Sequence, residues 1–255
     1  MHARSARRIS RRAATIARST TGRTPRRPAI SDALDHPLWT ALTTVHRELA
    51  LTAGGVARYP ADVAPFLAGE RASNDELASL VAPGETVFVI GPTPKVPAVW
   101  QLESLGEIVQ MVFDGPLPDA RDVEIAQLDD RAAVNELAAL VYPHYFRERT
   151  TVLGRYFGVR DAGRLVAMIG ERMAIPGARE ISAVCTHPDA VGRGLARALL
   201  AHLTADLVAR GTQPFLHVSP TNERARRLYE QNGYHTRRMI AFSSLRALRR
   251  ATTSS

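Results

Sequence analysis

Val184-Cys185-Thr186-His187-Pro188-Asp189-Ala190-Val191-Gly192-Arg193-Gly194-Leu195-Ala196 reads as a strand that passes through a glycine-punctuated turn into a long helix. The strand covers 179–186 and follows the turn signal Pro176-Gly177. The helix covers 194–210: Leu195, Leu199, Leu203 and Leu207 recur down one side, and Gly211 stands where helices commonly stop. Gly192 and Gly194 have no Cβ and Ala196 has little beyond one, so consecutive backbone N–H groups can close on an anion at the positive end of the helix dipole. A pyrophosphate fits such a cradle. Arg193 either adds a charge-assisted contact to it or stays in solvent.

Two common phosphate sites are excluded by what surrounds these glycines. A dinucleotide-binding fingerprint needs a third Gly or Ala where Arg197 stands, and an acid about 20 residues past its first glycine. Gly211-Thr212-Gln213-Pro214 supplies none. A Walker loop needs Lys and then Ser or Thr after its second glycine, where this chain has Leu195-Ala196.

Working outward, the turn-rich Asp114-Gly115-Pro116 and Pro118 mark a break. The expected order after it is strand 123–128, helix 131–141, strands 155–160, 165–173 and 179–186, helix 194–210, strand 214–218, helix 223–231 and strand 234–242. The first two of the three central strands are joined by Asp161-Ala162-Gly163-Arg164, a hairpin signal. This order predicts an α/β fold in the α+β sense, a mixed sheet flanked by helices, over 119–248. Before it, 31–118 forms a smaller α/β region. That region holds a helix over 37–52 (Leu38, Leu42, Val45 and Leu49 on one face), a capping box at Ser73 and Glu76, and strands at 85–90 and 107–113.

The net charge of +8 belongs to the first 30 residues, which contain nine arginines and no acid and leave 24 basic side chains against 25 acidic ones in the rest. With almost no large apolar side chains, residues 1–30 are expected to be a disordered tail. The tail lacks the apolar segment of a secretory signal, although an Arg-rich, acid-free start is also the composition of an organellar transit peptide. No stretch approaches the roughly 20 apolar residues of a membrane-spanning helix. The single cysteine, Cys185, cannot form an internal disulfide or a cysteine-based metal site, and it fits a reducing, cytoplasmic compartment.

A second motif follows the next strand: Asn222-Glu223-Arg224-Ala225-Arg226-Arg227-Leu228-Tyr229-Glu230-Gln231-Asn232-Gly233-Tyr234. The anion loop V-G-R-G-L-A followed by N-x-x-A-x-x-L-Y-x-x-x-G-Y resembles the GNAT superfamily of N-acetyltransferases. The runs E-I-S-A-V-C-T-H-P and F-L-H-V resemble its branch related to glycine N-acyltransferases. The resemblance covers about residues 120–245. It implies a GNAT-like, mostly antiparallel sheet splayed between strands 179–186 and 214–218, and acetyl-CoA as co-substrate with no metal. The pantetheine arm would lie in the split beside the main chain of Val184, Cys185 and Thr186, and the pyrophosphate would lie on Val191, Gly192, Arg193, Gly194, Leu195 and Ala196. Val191 departs from the family, which usually has Arg or Gln there, so weaker cofactor affinity is expected.

Acyl transfer from a thioester to an amine needs a neutral nucleophile and a protonated leaving sulfur. The resemblance places Tyr229 where many relatives protonate the sulfur; Ala225, Leu228 and Tyr229 equally form an apolar helix stripe. Asn222 either caps its helix or contacts the pantetheine. Glu171 and Glu180 are the candidate general bases, and Glu180 has a rival occupation in a cross-strand ion pair with Arg172. Tyr142-Pro143-His144-Tyr145-Phe146-Arg147 can line the acceptor site or be an ordinary surface loop. His144, His187 and His217 show no metal-ligand spacing, and Cys185 is expected to pack.

The expected partners are therefore acetyl-CoA and a small-molecule or peptide amine, with no membrane and no nucleic acid. Two other readings stand beside this one: an acyl-CoA-binding relative without turnover, and nucleic-acid binding through the arginine tail.

Overall fold

Leu38, Ala41 and Leu42 are fully buried, and they stand on a two-turn helix rather than the long one their spacing predicts. In the computed structural model, which describes residues 30–119, 122–142 and 144–248, the chain opens with α1 (Ile30–Asp35) and α2 (Pro37–Thr43). The arginine tail lies outside the described residues up to position 29. α2 stops early because Thr43 and Thr44 turn their hydroxyls onto the carbonyls of Trp39 and Thr40, the local competition that weakens helix interiors. Val45 is then left exposed. Three short strands that no alternation announced follow: β1 (Leu51–Ala53), β2 (Val56–Arg58) and β3 (Leu67–Gly69), which form a small antiparallel sheet.

Next, α3 (Asn74–Leu80) starts at the expected capping box: Ser73 Oγ accepts from the Glu76 amide at 3.2 Å, and the Glu76 carboxylate accepts from the Ser73 amide at 2.7 Å. Then come β4 (Thr86–Ile90), β5 (Trp100–Phe113), β6 (Ala126–Gln127), α4 (Arg131–Val141), β7 (Tyr156–Asp161), β8 (Arg164–Ile175) and β9 (Ala178–Thr186). The chain finishes with α5 (Leu195–Ala209), β10 (Gln213–Val218), α6 (Glu223–Glu230) and β11 (Tyr234–Ala247). The strand expected at 123–128 shrinks to two residues, and the one expected at 107–113 grows to 14.

The large sheet has the order β4-β11-β5-β10-β9-β8-β7-β6. Only β9 and β10 are parallel among its neighbouring pairs. It draws β4 and β5 from the 31–118 region, and β5 lies between β11 and β10, so the expected boundary runs through one sheet.

Burial on both faces fixes the layers. On β8 the neighbours Leu165 and Val166 point opposite ways: Leu165 joins Val134 and Leu137 of α4, and Val166 joins Leu199 and Leu203 of α5. α5 and α6 thus cover one face with Tyr229 and Tyr234, while α1 and α2 cover the other with Phe66 and Ile240.

Candidate active site

β9 and β10 pair from Gln213 opposite Ala178 to Leu216 opposite Ile181, and then part. β10 stays on β5 through Val218, and β9 stays on β8 through Thr186, so the two halves of the sheet open like a V. A cleft of about 1170 Å³ fills the opening, with Ser182 to Thr186 on one wall and His217 and Val218 on the other. Where they separate, β9 bulges: Met168 faces Cys185 and Gly170 faces Ser182, leaving Ala183 and Val184 against Ile169 alone. Ala183 has φ +50°, a strained value for a residue with a Cβ. The bulge ends regular pairing where the cleft begins.

The cleft reaches both faces of the sheet. Leu195, Val218 and Tyr229 line it from the α5 and α6 side, and Phe66, Ile90 and Phe242 from the α1 and α2 side. At its α5 end is the glycine turn, with Gly192 at φ +88° and Gly194 at φ +76°. A Cβ on Gly192 would meet nothing within 4 Å, so the glycine serves the backbone conformation and leaves open space above the turn. Gly194 caps α5 without a side-chain bond, which leaves the first amides of this 15-residue helix free to donate. These features fit a pyrophosphate.

Of the residues expected to hold the cofactor, Val184, Cys185, Thr186, Val191, Gly192, Gly194, Leu195, Ala196, Asn222 and Tyr229 all line the cleft. Arg193 does not: its guanidinium turns to Asp161 at the end of β7, at 2.5 Å. Asn222 caps α6, its side chain accepting from the Ala225 amide at 3.1 Å. Burial pushes the Cys185 thiol up to about 12, which suits packing.

Tyr229 and Tyr234 lie side by side with ring centroids 6.2 Å apart, but their hydroxyls differ in use. Tyr234 shares a 2.7 Å hydrogen bond with Thr204, whereas the Tyr229 hydroxyl has no hydrogen-bond partner among the described residues and its side chain lines the cleft. Burial pushes the Tyr229 phenol up, so it remains a proton donor at neutral pH.

Neither candidate base lines the cleft. The Glu180 carboxylate takes Arg172 Nε at 2.8 Å and Nη2 at 2.6 Å, plus His217 Nδ1 at 2.8 Å. His217 Nε2 accepts in turn from the Gln110 amide at 3.2 Å. Burial by itself would raise Glu180, but the charge and hydrogen bonds of Arg172 and the bond from His217 outweigh it and hold the carboxyl at about 2. Glu171 is also buried, and it receives Arg155 Nη2 at 2.5 Å, Arg155 Nε at 3.0 Å and the Arg155 amide at 3.2 Å.

The loop after α4 supplies Tyr142 and Tyr145 to the cleft; His144 lies instead beside a smaller hollow formed with Phe88 and Arg147. Phe66, Ile108, Phe242 and Glu107 are cleft residues that the sequence reading missed. They come from segments with no motif, and only the fold brings them together. Among the described residues no group of three or more His, Cys, Asp or Glu could hold a metal, and no helix is long and apolar enough to cross a membrane.

The family model described as FR47-like protein matches residues 156–243. A protein of known structure from Novosphingobium aromaticivorans, assigned to the GNAT family of acetyltransferases, shares 34% identity over 85% of this chain and 99% of its own, with a TM-score of 0.76. The chain belongs to the GNAT family. Two further structures share the GNAT fold at 16% identity. A GCN5-related N-acetyltransferase from Kribbella flavida covers 86% of this chain and 96% of its own, with a TM-score of 0.54. A GCN5-related N-acetyltransferase-like protein from Streptococcus suis covers 86% and 97%, with a TM-score of 0.53. No curated protein matches. In this GNAT protein the position before Gly192 is Val191, 45% exposed at the mouth of the cradle; its own amide donates to the Pro188 carbonyl at 3.3 Å, so the turn has no side-chain cation there and its amides come from the residues that follow.

Proposed function

We propose that this protein transfers an acetyl group from acetyl-CoA to a primary amine by direct attack while both substrates are bound. One observation carries the reading: the uncapped glycine turn of α5, the split between β9 and β10, and the free hydroxyl of Tyr229 open into the same cleft. Acetyl-CoA, when bound, supplies an acyl carbon activated as a thioester. The turn at 191–196 holds its pyrophosphate through backbone amides, and the parted strands leave the main chain of Val184 to Thr186 beside the pantetheine arm. As the C–N bond forms and the C–S bond breaks, Tyr229 gives its phenolic proton to the departing sulfur and recovers one from water in the cleft.

Glu171 and Glu180 hold the fold through their arginines, and the ammonium of the acceptor loses its proton to cleft water. The rate then rises with pH toward the amine's own pKa, about 8 to 10.4. Descent from the branch related to glycine N-acyltransferases, and a cytoplasmic setting, belong to this proposal on the strength of the 180–188 and 215–218 runs and the single cysteine.

A second reading, an acyl-CoA-binding protein without turnover, is favoured by the arginine ion pairs that occupy both candidate bases. Thiol release from acetyl-CoA across a broad panel of amines separates the two. CoA binding by calorimetry without release from any amine supports the second reading, and no association with CoA at millimolar concentration rejects both.

A further inference from the structure

The wall of the cleft on the α1 and α2 face is an aromatic box. Phe66 and Tyr145 stack with centroids 6.0 Å apart, Phe242 meets Tyr145 edge-on at 6.0 Å, and Tyr142 lies 5.8 Å from Tyr145. All four line the cleft, together with Ile108. Rings set at such angles accept another flat ring by offset stacking or by an edge. Among the described residues neither the Tyr142 nor the Tyr145 hydroxyl has a hydrogen-bond partner.

Charge narrows the occupant further. Among the described residues Glu107 is the only carboxylate in the cleft lining and makes no ion pair, but the alternation of β5 sets it on the α5 and α6 face with Val109, opposite Ile108 and the rings. The guanidinium of Arg172 reaches the aromatic wall, with Glu180 holding its Nε and Nη2. Arg197 and Arg224 belong to α5 and α6, on the side of the phosphate cradle. An ammonium entering from the aromatic face meets ring surfaces that attract a cation. A carboxylate entering there meets a guanidinium already neutralised by Glu180, so nothing offsets its loss of water.

We infer that the acceptor is a primary amine held by a short chain on an aromatic or bulky apolar body, with no carboxylate beside the nitrogen. The inference rests on the acyl-transfer reading of the same cleft. It also gives the 31–118 region a task, because Phe66, Ile90 and Ile108 supply part of the acceptor wall.

The test is calorimetry on the full chain saturated with CoA, titrated separately with 2-phenylethylamine, glycine and spermidine, alongside thiol release from acetyl-CoA with the same three amines. 2-Phenylethylamine should bind at least about tenfold more tightly than the other two. Phe242→Ala should weaken it about tenfold while CoA affinity holds, and Phe242→Leu should fall between them. Equal or tighter binding of glycine or spermidine, or no binding of any of the three, overturns the inference. Preferred binding of 2-phenylethylamine without thiol release supports the inferred ligand class and overturns acyl transfer. Thiol release with glycine while 2-phenylethylamine neither binds nor reacts does the reverse.

Discussion

Arg172 grips both carboxylate oxygens of Glu180 inside the sheet, where the Glu180 side chain has no exposure. A buried pair of this kind is costly to break from one side, because the remaining charge has no water to turn to. Arg172→Met, which strands the carboxylate, and Glu180→Gln, which strands the guanidinium, should therefore each lose about 3–5 kcal/mol of stability. The pH dependence has a definite sign. Glu180 has a folded value of about 2 against an ordinary 4.5, so its contribution is fully present above 4.5 and disappears as pH falls toward 2. Melting curves of the two proteins should converge over that window; a constant gap between wild type and Glu180→Gln down to about pH 2 would contradict the pairing.

Tyr229→Phe tests the proton donor. The hydroxyl has no structural bond to lose, so stability should change little, while kcat should fall on the order of a hundredfold with CoA affinity intact. Because burial holds the phenol protonated, the wild-type rate should climb with pH toward the amine's pKa with no earlier decline. Unchanged turnover in the variant removes Tyr229 from the mechanism.

Glu171 looks like a base in the sequence, yet its oxygens are taken by Arg155, which also reaches Asp206 at 2.6 Å. Glu171→Gln should lower the melting temperature and leave kcat within about twofold, since a structural ion pair acts on folding and not on the barrier. A large fall in kcat at unchanged stability would restore it as a base.

The parts of the molecule legible in the sequence are those set by local backbone chemistry. The capping box at Ser73 and Glu76, the cap at Asn222, and the glycine pair that opens α5 each need only a few adjacent residues, and each stands where its pattern placed it. The illegible parts depend on distant chain. β5 extends far beyond its apolar end because its exposed middle, Glu103 to Glu107, is held by pairing with β11 across a register shift. Nothing around Ala183 announces a positive φ; the bulge follows from two strands of unequal path on β8 and β10. The aromatic wall likewise joins Phe66 to Phe242, which no spacing connects.

The Cys185 thiol should be inert in the folded protein. Burial raises it to about 12, so at about pH 8 only about one molecule in ten thousand is a thiolate. Alkylation by iodoacetamide should be slow in buffer and fast in urea, and Cys185→Ala should retain turnover. Rapid labelling of the native state, with loss of activity, would assign the thiol a catalytic part.

Val191 offers a gain-of-function test of the cradle itself. It lines the cleft directly before Gly192 and is 45% exposed, so a longer side chain there can extend without displacing the core. A guanidinium at this place would reach toward the anion that the α5 amides receive, adding a charge-assisted contact. Exposure and salt reduce such a contact to about 1 kcal/mol, so Val191→Arg should tighten CoA about fivefold at low ionic strength and less as salt rises. Binding of pantetheine, which lacks the pyrophosphate, should stay the same in both proteins. Equal CoA affinity at low salt, or equal tightening of pantetheine, would mean that the glycine turn is not where the pyrophosphate lies.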